Sequence, residues 1–175
     1  MSTHPKTVLV TAKFSVLEHS LTTPTQPTPL VRHTVEHRGA VAIIPLLDDD
    51  RVCLIRNRRI AIGKTLVELP AGTLEPDEPP RHTAERELQE ETGYRAARWH
   101  ELNGFFMSPG ILNERMHLFV ARDLTPGPPA READEAIDNL VVSWDEAIAM
   151  VLRGEIEDAK SLAGLLLWDK LRQDG

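Results

Sequence analysis

The chain has 175 residues, of which 41% are hydrophobic and 27% charged, and this composition indicates one folded domain with a sizeable core. Its formal net charge of -7 argues against nucleic-acid binding, which normally selects a basic surface. No run of about 18 apolar residues is present, so the sequence predicts no membrane span. Cys53 is the only cysteine, which excludes an internal disulfide and is compatible with a reducing cytoplasm.

Residues 1–38 are predicted to form a small N-terminal β segment. Residues 8–17 and 30–36 alternate between apolar and polar side chains, as half-buried strands do. Between them, residues 21–29 (LTTPTQPTP) are rich in proline and threonine, which predicts a turn or an irregular loop.

Residues 39–175 are predicted to form the core of the protein. The nearly continuous apolar run at 39–47 (GAVAIIPLL) is typical of a buried strand. Further strands are predicted at 51–56, 65–69, 100–106, 115–121 and 140–143. Helices are predicted at 80–92, 144–153 and 158–172. This order indicates an α/β or α+β fold, layered as a sandwich around a mixed β-sheet.

Residues 72–94 carry the strongest functional signal in the chain. They follow the pattern G-x5-E-x7-R-E-U-x-E-E-x-G-U, in which U is a bulky apolar residue. On the predicted helix, Glu87, Glu90 and Glu91 are at positions i, i+3 and i+4 and share one face. Carboxylates crowded in this way repel one another. The face therefore predicts a site for Mg²⁺ or Mn²⁺, which prefer carboxylate oxygens and retain phosphate ligands.

The other fixed positions of the pattern are expected to be structural. Arg86 lies one turn before Glu90 and is expected to brace it, while Glu78 is expected to hold Arg86 by an ion pair. Gly93 is expected to end the helix in the left-handed conformation. Gly72 is expected to close a strand and to let the backbone approach a phosphate or a metal. A metal held here would neutralise and orient a diphosphate and activate a water molecule, which predicts hydrolysis of a P–O–P bridge.

This pattern resembles the motif of the Nudix hydrolases at every fixed position. The segments RNRRIAIGKTLVELPAG, GFFMSPGILNER and GEIEDAKSLAGLLLW resemble, more specifically, the ADP-ribose pyrophosphatase subfamily. The resemblance implies a Nudix-type α/β/α sandwich and Mg²⁺-dependent hydrolysis of ADP-ribose, or of a related ADP-sugar, to AMP and a sugar phosphate. It also implies a homodimer to which residues 1–38 contribute.

The resemblance further implies a set of metal and substrate residues. Ala71 is expected to offer its backbone carbonyl to the metal, beside the carboxylates of Glu87 and Glu91. Glu90 is expected to be a ligand or to support the ligands and the catalysis. The expected substrate-binding residues are Arg59, Glu68, Ser108, Pro109 and Gly110, with the arginine contacting phosphate.

The catalytic base is expected in the acidic segment at residues 130–139. Glu135 is the first choice and Glu132 the second. The resemblance implies one more carboxylate in this segment than this sequence has, so the choice between the two stays open. An acidic surface loop without a function is the alternative interpretation.

Two other functions stay open at this level. One is Nudix hydrolysis of another nucleotide sugar, such as GDP-mannose, or of a dinucleotide. The other is a nucleotide-sensing Nudix module without turnover. The complete set of glutamates argues against the sensor, because a protein that only binds nucleotide gains nothing from carboxylates that repel one another.

Overall fold

A computed structural model of the protein describes residues 4–23, 26–47, 50–131 and 137–173. Within these ranges the strands are β1 (Lys6–Val10), β2 (Phe14–Thr23), β3 (Gln26–His37), β4 (Ala40–Pro45), β5 (Arg51–Arg59), β6 (Lys64–Glu68), β7 (Ala71–Thr73), β8 (Tyr94–Phe106), β9 (Arg115–Pro126) and β10 (Ile137–Ser143). The helices are α1 (Pro80–Glu87), α2 (Trp144–Leu152) and α3 (Ala159–Gln173), and a π-helical turn (Leu88–Thr92) directly follows α1.

The described strands form sheets with the orders β1-β2-β3, β10-β5-β6 and β7-β4-β9-β8. β4 runs parallel to β9, whereas the β4–β7 and β8–β9 pairs are antiparallel. The sheet that contains β4 is therefore mixed, as predicted. None of the described helices combines the length and the apolar character that a membrane crossing requires.

β4 lies at the centre of the core because both of its faces are covered. Ala42 and Ile44 pack in one apolar cluster with Leu165 of α3, and Val41 packs in a second cluster with Leu88 after α1. Successive strand residues point to opposite faces, so a strand buried on both sides must be apolar throughout. Helices thus cover both faces of the mixed sheet, and the predicted α/β/α sandwich is confirmed.

The N-terminal segment differs from the prediction in its connection. Residues 21–29 were predicted to form a turn or an irregular loop. This is wrong for residues 21–23 and 26–29, which lie in strands, while residues 24 and 25 lie outside the described residues. β2 continues to Thr23 and β3 begins at Gln26, with Leu21 opposite Leu30 in the pair. Pro27 and Pro29 lie in β3, an edge strand of its sheet, and edge strands are where prolines are tolerated because one side of the strand has no ladder to lose.

Several other boundaries also differ. β8 begins at Tyr94, the last residue of the motif, because its pairing with β9 extends as far as Pro126. The predicted strand at 8–17 is divided at residues 11–13, where the Thr11 side chain and backbone close a turn onto Phe14. Cys53 of β5 is fully buried, and this burial raises the pKa of its thiol to about 12.

Candidate metal and diphosphate site

The predicted motif spans β7, the loop that follows it, α1 and the π-helical turn. α1 begins with Pro80, whose fixed φ suits the first position of a helix. The preceding Pro79 offers no side-chain cap, but its carbonyl accepts hydrogen bonds from the N–H groups of His82 and Thr83 at 2.9 and 3.2 Å. The Thr83 hydroxyl donates to Glu78 at 2.8 Å, so the loop is fastened to the first turn of the helix.

The predicted helix at 80–92 changes from α to π geometry at Leu88, which the sequence pattern did not predict. The Thr92 hydroxyl donates to the Leu88 carbonyl within this turn. Gly93 then ends the turn with φ +80°, and its N–H donates to the Gln89 carbonyl at 2.9 Å. π turns are frequent at functional sites, and this one changes the angular spacing between Glu87 and Glu91 from that of a straight α-helix.

Two glutamates are held against β7. Glu91 is buried, and its Oε2 accepts a hydrogen bond from the Ala71 N–H at 2.9 Å. The Glu87 carboxylate lies directly over Gly72, where an added Cβ would come within 1.9 Å of its Cδ and Oε1. The absence of a side chain at Gly72 therefore lets the Glu87 carboxylate lie against the β7 backbone. The predicted approach of this backbone to a phosphate or a metal stays a prediction.

Arg86 joins the carboxylates of the motif. Its Nη1 donates to Glu87 Oε1 at 2.8 Å and to Glu90 Oε2 at 2.9 Å, and its Nη2 contacts Glu78 Oε2 at 3.3 Å. The predicted ion pair between Glu78 and Arg86 is thus present. We call Glu78, Arg86, Glu87, Glu90 and Glu91 the box cluster.

The charges in the box cluster shift the pKa values of its members. Burial alone would lower the pKa of Arg86, but its hydrogen bonds and charge interactions with Glu78, Glu87 and Glu90 raise it above the usual range. Burial alone would raise the pKa of Glu78, but hydrogen bonds from Arg86 and Thr83 lower it below its usual value. Both groups therefore carry full charge at neutral pH.

A cavity of about 310 Å³ lies in front of the box cluster. Its acidic lining comes from Glu75, Glu87, Glu90 and Glu91, and its basic lining from Lys13, Arg38, Arg59 and Arg86. Carboxylates of the box cluster therefore share a cavity with Lys13 and Arg38 of the N-terminal segment and with Arg59 of β5.

The donor set of this cavity fits a hard divalent cation. Among the described residues, no group of three or more His, Cys, Asp and Glu side chains is arranged to enclose a metal ion. Mg²⁺ does not need such a cage, because it is usually held by one or two carboxylates while waters and substrate phosphates complete its octahedron. Carboxylate oxygens beside space for a phosphate are the donors that this chemistry requires.

The predicted substrate residues Arg59 and Glu68 contact each other. Arg59 lines the cavity, and its Nε and Nη2 donate to the two carboxylate oxygens of Glu68 at 2.8 and 2.5 Å. This hydrogen bonding raises the pKa of Arg59 against the opposing effect of burial, with further contributions from the charges of Glu91 and Asp158. Glu68 itself is fully buried behind Arg59, so its direct contact with substrate stays a prediction.

Ser108, Pro109 and Gly110 form the turn between β8 and β9. Ser108 accepts hydrogen bonds through its carbonyl from the N–H groups of Ile111 and Leu112 at 3.0 and 2.9 Å. Pro109 lines a different, mainly apolar groove of about 380 Å³, together with Leu17 and Val35 of the N-terminal sheet. The structure does not bring this turn to the lining of the cavity that faces the box cluster.

Glu132 and Glu135, the predicted catalytic bases, lie outside the described residues. The chain on either side of them is bound to the end of the π-helical turn. The Ala130 N–H donates to the Glu90 carbonyl at 3.0 Å, Arg131 Nε to the Glu91 carbonyl at 2.9 Å, and Asn139 Nδ2 to the Thr92 carbonyl at 2.8 Å. The described residues on both sides of the predicted bases are therefore attached next to Glu90, Glu91 and Thr92.

Sequence reasoning missed several residues that the fold brings to this region. Lys13 and Arg38 line the cavity, Arg131 and Asn139 bind the end of the π-helical turn, and Lys160 contacts Glu68. For Lys160 a signal exists in the sequence. It follows Asp158 at the start of a predicted helix, where a cation is unfavourable to the helix dipole and so indicates a specific partner.

Comparisons with known proteins agree with this geometry. The chain matches the model of the NUDIX domain over residues 36–165. It is 38% identical over 132 residues to an ADP-ribose pyrophosphatase of Bacillus subtilis (strain 168), covering 74% of this chain and 71% of that protein. It is 34% identical over 148 residues to a GDP-mannose pyrophosphatase of Klebsiella pneumoniae, covering 76% of this chain and 73% of that protein.

A crystal structure of an ADP compounds hydrolase has the same fold, with a TM-score of 0.82 and 23% identity, covering 100% of this chain and 95% of that chain. The family model spans most of the chain and includes the whole box cluster. This chain therefore belongs to the Nudix family, whose hydrolases generally use divalent metals.

Proposed function

We propose that this protein hydrolyses the diphosphate bond of ADP-ribose, or of a related ADP-sugar, to AMP and a sugar phosphate. The observation that carries the proposal is the divided charge of the cavity. The box cluster provides carboxylates for a cation, and Lys13, Arg38 and Arg59 provide positive charge for an anion in the same space. A metal-bound diphosphate needs both, and the curated relatives include a pyrophosphatase of ADP-ribose.

Mg²⁺, with Mn²⁺ as a substitute, is the cofactor that we propose. Glu87 and Glu91 would hold it with the carbonyl of Ala71, and Glu90 would be a further ligand or would support these two. When bound, the ion neutralises the diphosphate and lowers the pKa of a water molecule.

The residues of the chain prepare the site for this chemistry. Arg86 holds Glu87 and Glu90 at 2.8 and 2.9 Å, and the Ala71 N–H holds Glu91 at 2.9 Å, so the carboxylates are oriented before substrate arrives. Arg59 would bind a phosphate oxygen. We propose Glu135 as the base that takes the proton from water, with Glu132 as the second choice. The attachment of the flanking chain beside Glu91 supports this proposal.

The homodimer is proposed from the N-terminal segment, which we treat as the unit 1–38 beside a hydrolase domain at 39–175. The β1-β2-β3 sheet exposes large apolar side chains, among them Val8, Leu9, Val10 and Val31. An exposed apolar surface of this kind normally meets a partner. The cytoplasm is the compartment that we propose, since the single cysteine forms no internal disulfide.

The function is tested by steady-state hydrolysis of ADP-ribose, GDP-mannose and a nicotinamide dinucleotide, with Mg²⁺, with Mn²⁺ and with a chelator. We expect kcat/KM for ADP-ribose to exceed that of the others by about tenfold or more, because one site that is fitted to a substrate discriminates by 1–3 kcal/mol. Equal turnover of all three would contradict the ADP-ribose assignment. Tight binding of ADP-ribose without release of AMP at saturating Mg²⁺ would favour the sensor.

A further inference from the structure

A buried lysine lies behind Arg59. Lys160 is close to the start of α3, its side chain is 7% exposed, and its Nζ contacts the carboxylates of Glu68 and, at 2.9 Å, Asp158. A buried ammonium group is costly unless its charge is compensated. Its partners are also buried or nearly so, with side-chain exposures of 0% for Glu68 and 14% for Asp158. We call Arg59, Glu68, Asp158 and Lys160 the Lys160 network.

Within the Lys160 network the formal charges balance, because two cations meet two carboxylates. Only Arg59 has a substantially exposed side chain, at 41%. Arg59 and Lys160 also line a second cavity, of about 250 Å³, which shares Ala71, Gly72 and Thr73 with the cavity of the box cluster. Arg59 is thus the part of a charge-balanced group that reaches the space for the diphosphate.

The orientation of Arg59 depends on Glu68. Its Nε and Nη2 both donate to this carboxylate, which fixes the plane of the guanidinium group. If Lys160 were absent, Arg59 would be the single cation beside the two carboxylates of Glu68 and Asp158. The net charge beside the diphosphate would then change from neutral to one negative unit.

We infer that Lys160 is a positioning residue for substrate binding: by neutralising Glu68 and Asp158 it leaves the positive charge of Arg59 for a phosphate of the substrate. The inference rests on the proposed function. It predicts that charge, rather than packing, is what Lys160 contributes to binding.

A purely structural role is the competing explanation. Ser161 Oγ accepts a hydrogen bond from the Leu69 N–H at 2.7 Å and donates to Asp158 at 2.6 Å, so the start of α3 is already attached to the chain after β6. Loss of Lys160 by itself would therefore not distinguish the two roles. A second substitution that restores the charge balance does distinguish them.

The test compares Lys160→Met, Asp158→Asn and the double variant in KM and kcat for ADP-ribose. A unit charge near the phosphates changes their binding by about tenfold at an effective dielectric constant near 20. We expect Lys160→Met to raise KM about tenfold with kcat within about threefold, which is the pattern of lost binding without lost chemistry. Asp158→Asn removes a negative charge and should lower KM by about threefold.

In the double variant the charges balance again, so KM should return to within about threefold of wild type. Asparagine can still accept the hydrogen bonds of Ser161 at this helix start. Lys64→Met is the matched control, because Lys64 pairs with Glu157 across neighbouring parts of the chain but both side chains are at least half exposed. It should leave KM unchanged.

A double variant that binds no better than Lys160→Met would overturn the inference, as would a rise in KM for Asp158→Asn. The second criterion holds even if Lys160→Met fails to fold. The same order should appear in the Kd of inorganic pyrophosphate, measured calorimetrically with Mg²⁺. If the affinities of the variants for pyrophosphate follow the order expected from their charges but the protein does not hydrolyse ADP-ribose, the inference is supported and only the proposed function is contradicted.

Discussion

The box cluster and the Lys160 network use the same residue types in opposite ways. In the network, two cations meet two buried carboxylates, and the charges balance within the protein. In the box cluster, Arg86 is shared by Glu78, Glu87 and Glu90 in front of an open cavity. The box cluster thus has four carboxylates for one cation beside open space, which suits a cation from outside the protein. The network compensates its charges internally and leaves only Arg59 substantially exposed.

The largest expected effect comes from the box cluster. Glu91→Gln keeps an oxygen that can accept the Ala71 N–H at the same place, so the fold should persist. It removes one negative charge from the metal face, and we expect kcat to fall by about 10³-fold or more. Initial rates at saturating Mg²⁺ measure this.

Glu85→Gln is the matched control for that variant. Glu85 lies on α1 and pairs with Arg81 at 2.8 Å, with both side chains exposed. Its kcat should stay close to that of wild type. Turnover of the Glu91 variant within about threefold of this control would show that Glu91 is not a ligand.

The second effect tests the Lys160 network, whose charges are compensated inside the protein. Glu68→Gln leaves Arg59 and Lys160 without their shared buried carboxylate, so we expect the free energy of unfolding to fall by about 3 kcal/mol or more. Urea denaturation measures it. Glu157→Gln removes an exposed pair with Lys64 and should cost at most about 1 kcal/mol. Equal losses in the two variants would refute the distinction between buried and exposed pairs.

The third effect uses the approach of Glu87 to Gly72. Gly72→Ala forces the flexible Glu87 carboxylate to move, so we expect half-saturation by Mg²⁺ to need about tenfold more metal. The change in stability should be small, since only the end of a side chain is displaced. In a Glu87→Ala background, Gly72→Ala should not raise the Mg²⁺ requirement further. If the two substitutions instead act independently in this double-mutant cycle, Gly72→Ala does not act by displacing the Glu87 carboxylate.

The smallest effect concerns the pH dependence of stability. Arg86 and Thr83 lower the pKa of Glu78 below its usual 4.5 despite burial. Glu78 therefore becomes protonated at a lower pH in the folded state than in the unfolded state. The resulting stabilisation is present above pH 4.5 and is lost as the pH falls through the lowered pKa. Thermal unfolding of wild type should therefore lose more stability than Glu78→Gln between about pH 5 and about pH 3. Parallel losses would show that Glu78 does not contribute.

The sequence predicted the features that local patterns control. The strand β4 was predictable because a continuous apolar run indicates burial on both faces. The end of the helical turn was predictable because Gly93 readily adopts the left-handed conformation. The ion pair of Glu78 with Arg86 was also predictable, because the helix fixes one partner and the short loop limits the reach of the other.

Features that depend on contacts distant in sequence were not predictable. The π-helical turn has no distinct apolar period, and its carbonyl groups are bound by residues about forty positions later in the chain. The contact of Lys160 with Glu68 joins α3 to β6 only after both have packed on the mixed sheet. The hairpin at residues 21–29 was missed because proline content alone does not show which side of a strand is unpaired.

The attachment of Ala130, Arg131 and Asn139 to successive carbonyls of the π-helical turn limits how this protein can vary in length. A residue gained or lost between Ala130 and Arg131 would release one of these carbonyls and leave a helix end unsatisfied. Insertions between positions 131 and 139 leave all three hydrogen bonds possible. We therefore expect family members to differ in the length of the acidic segment while the attachments that flank it stay beside Glu90 and Glu91.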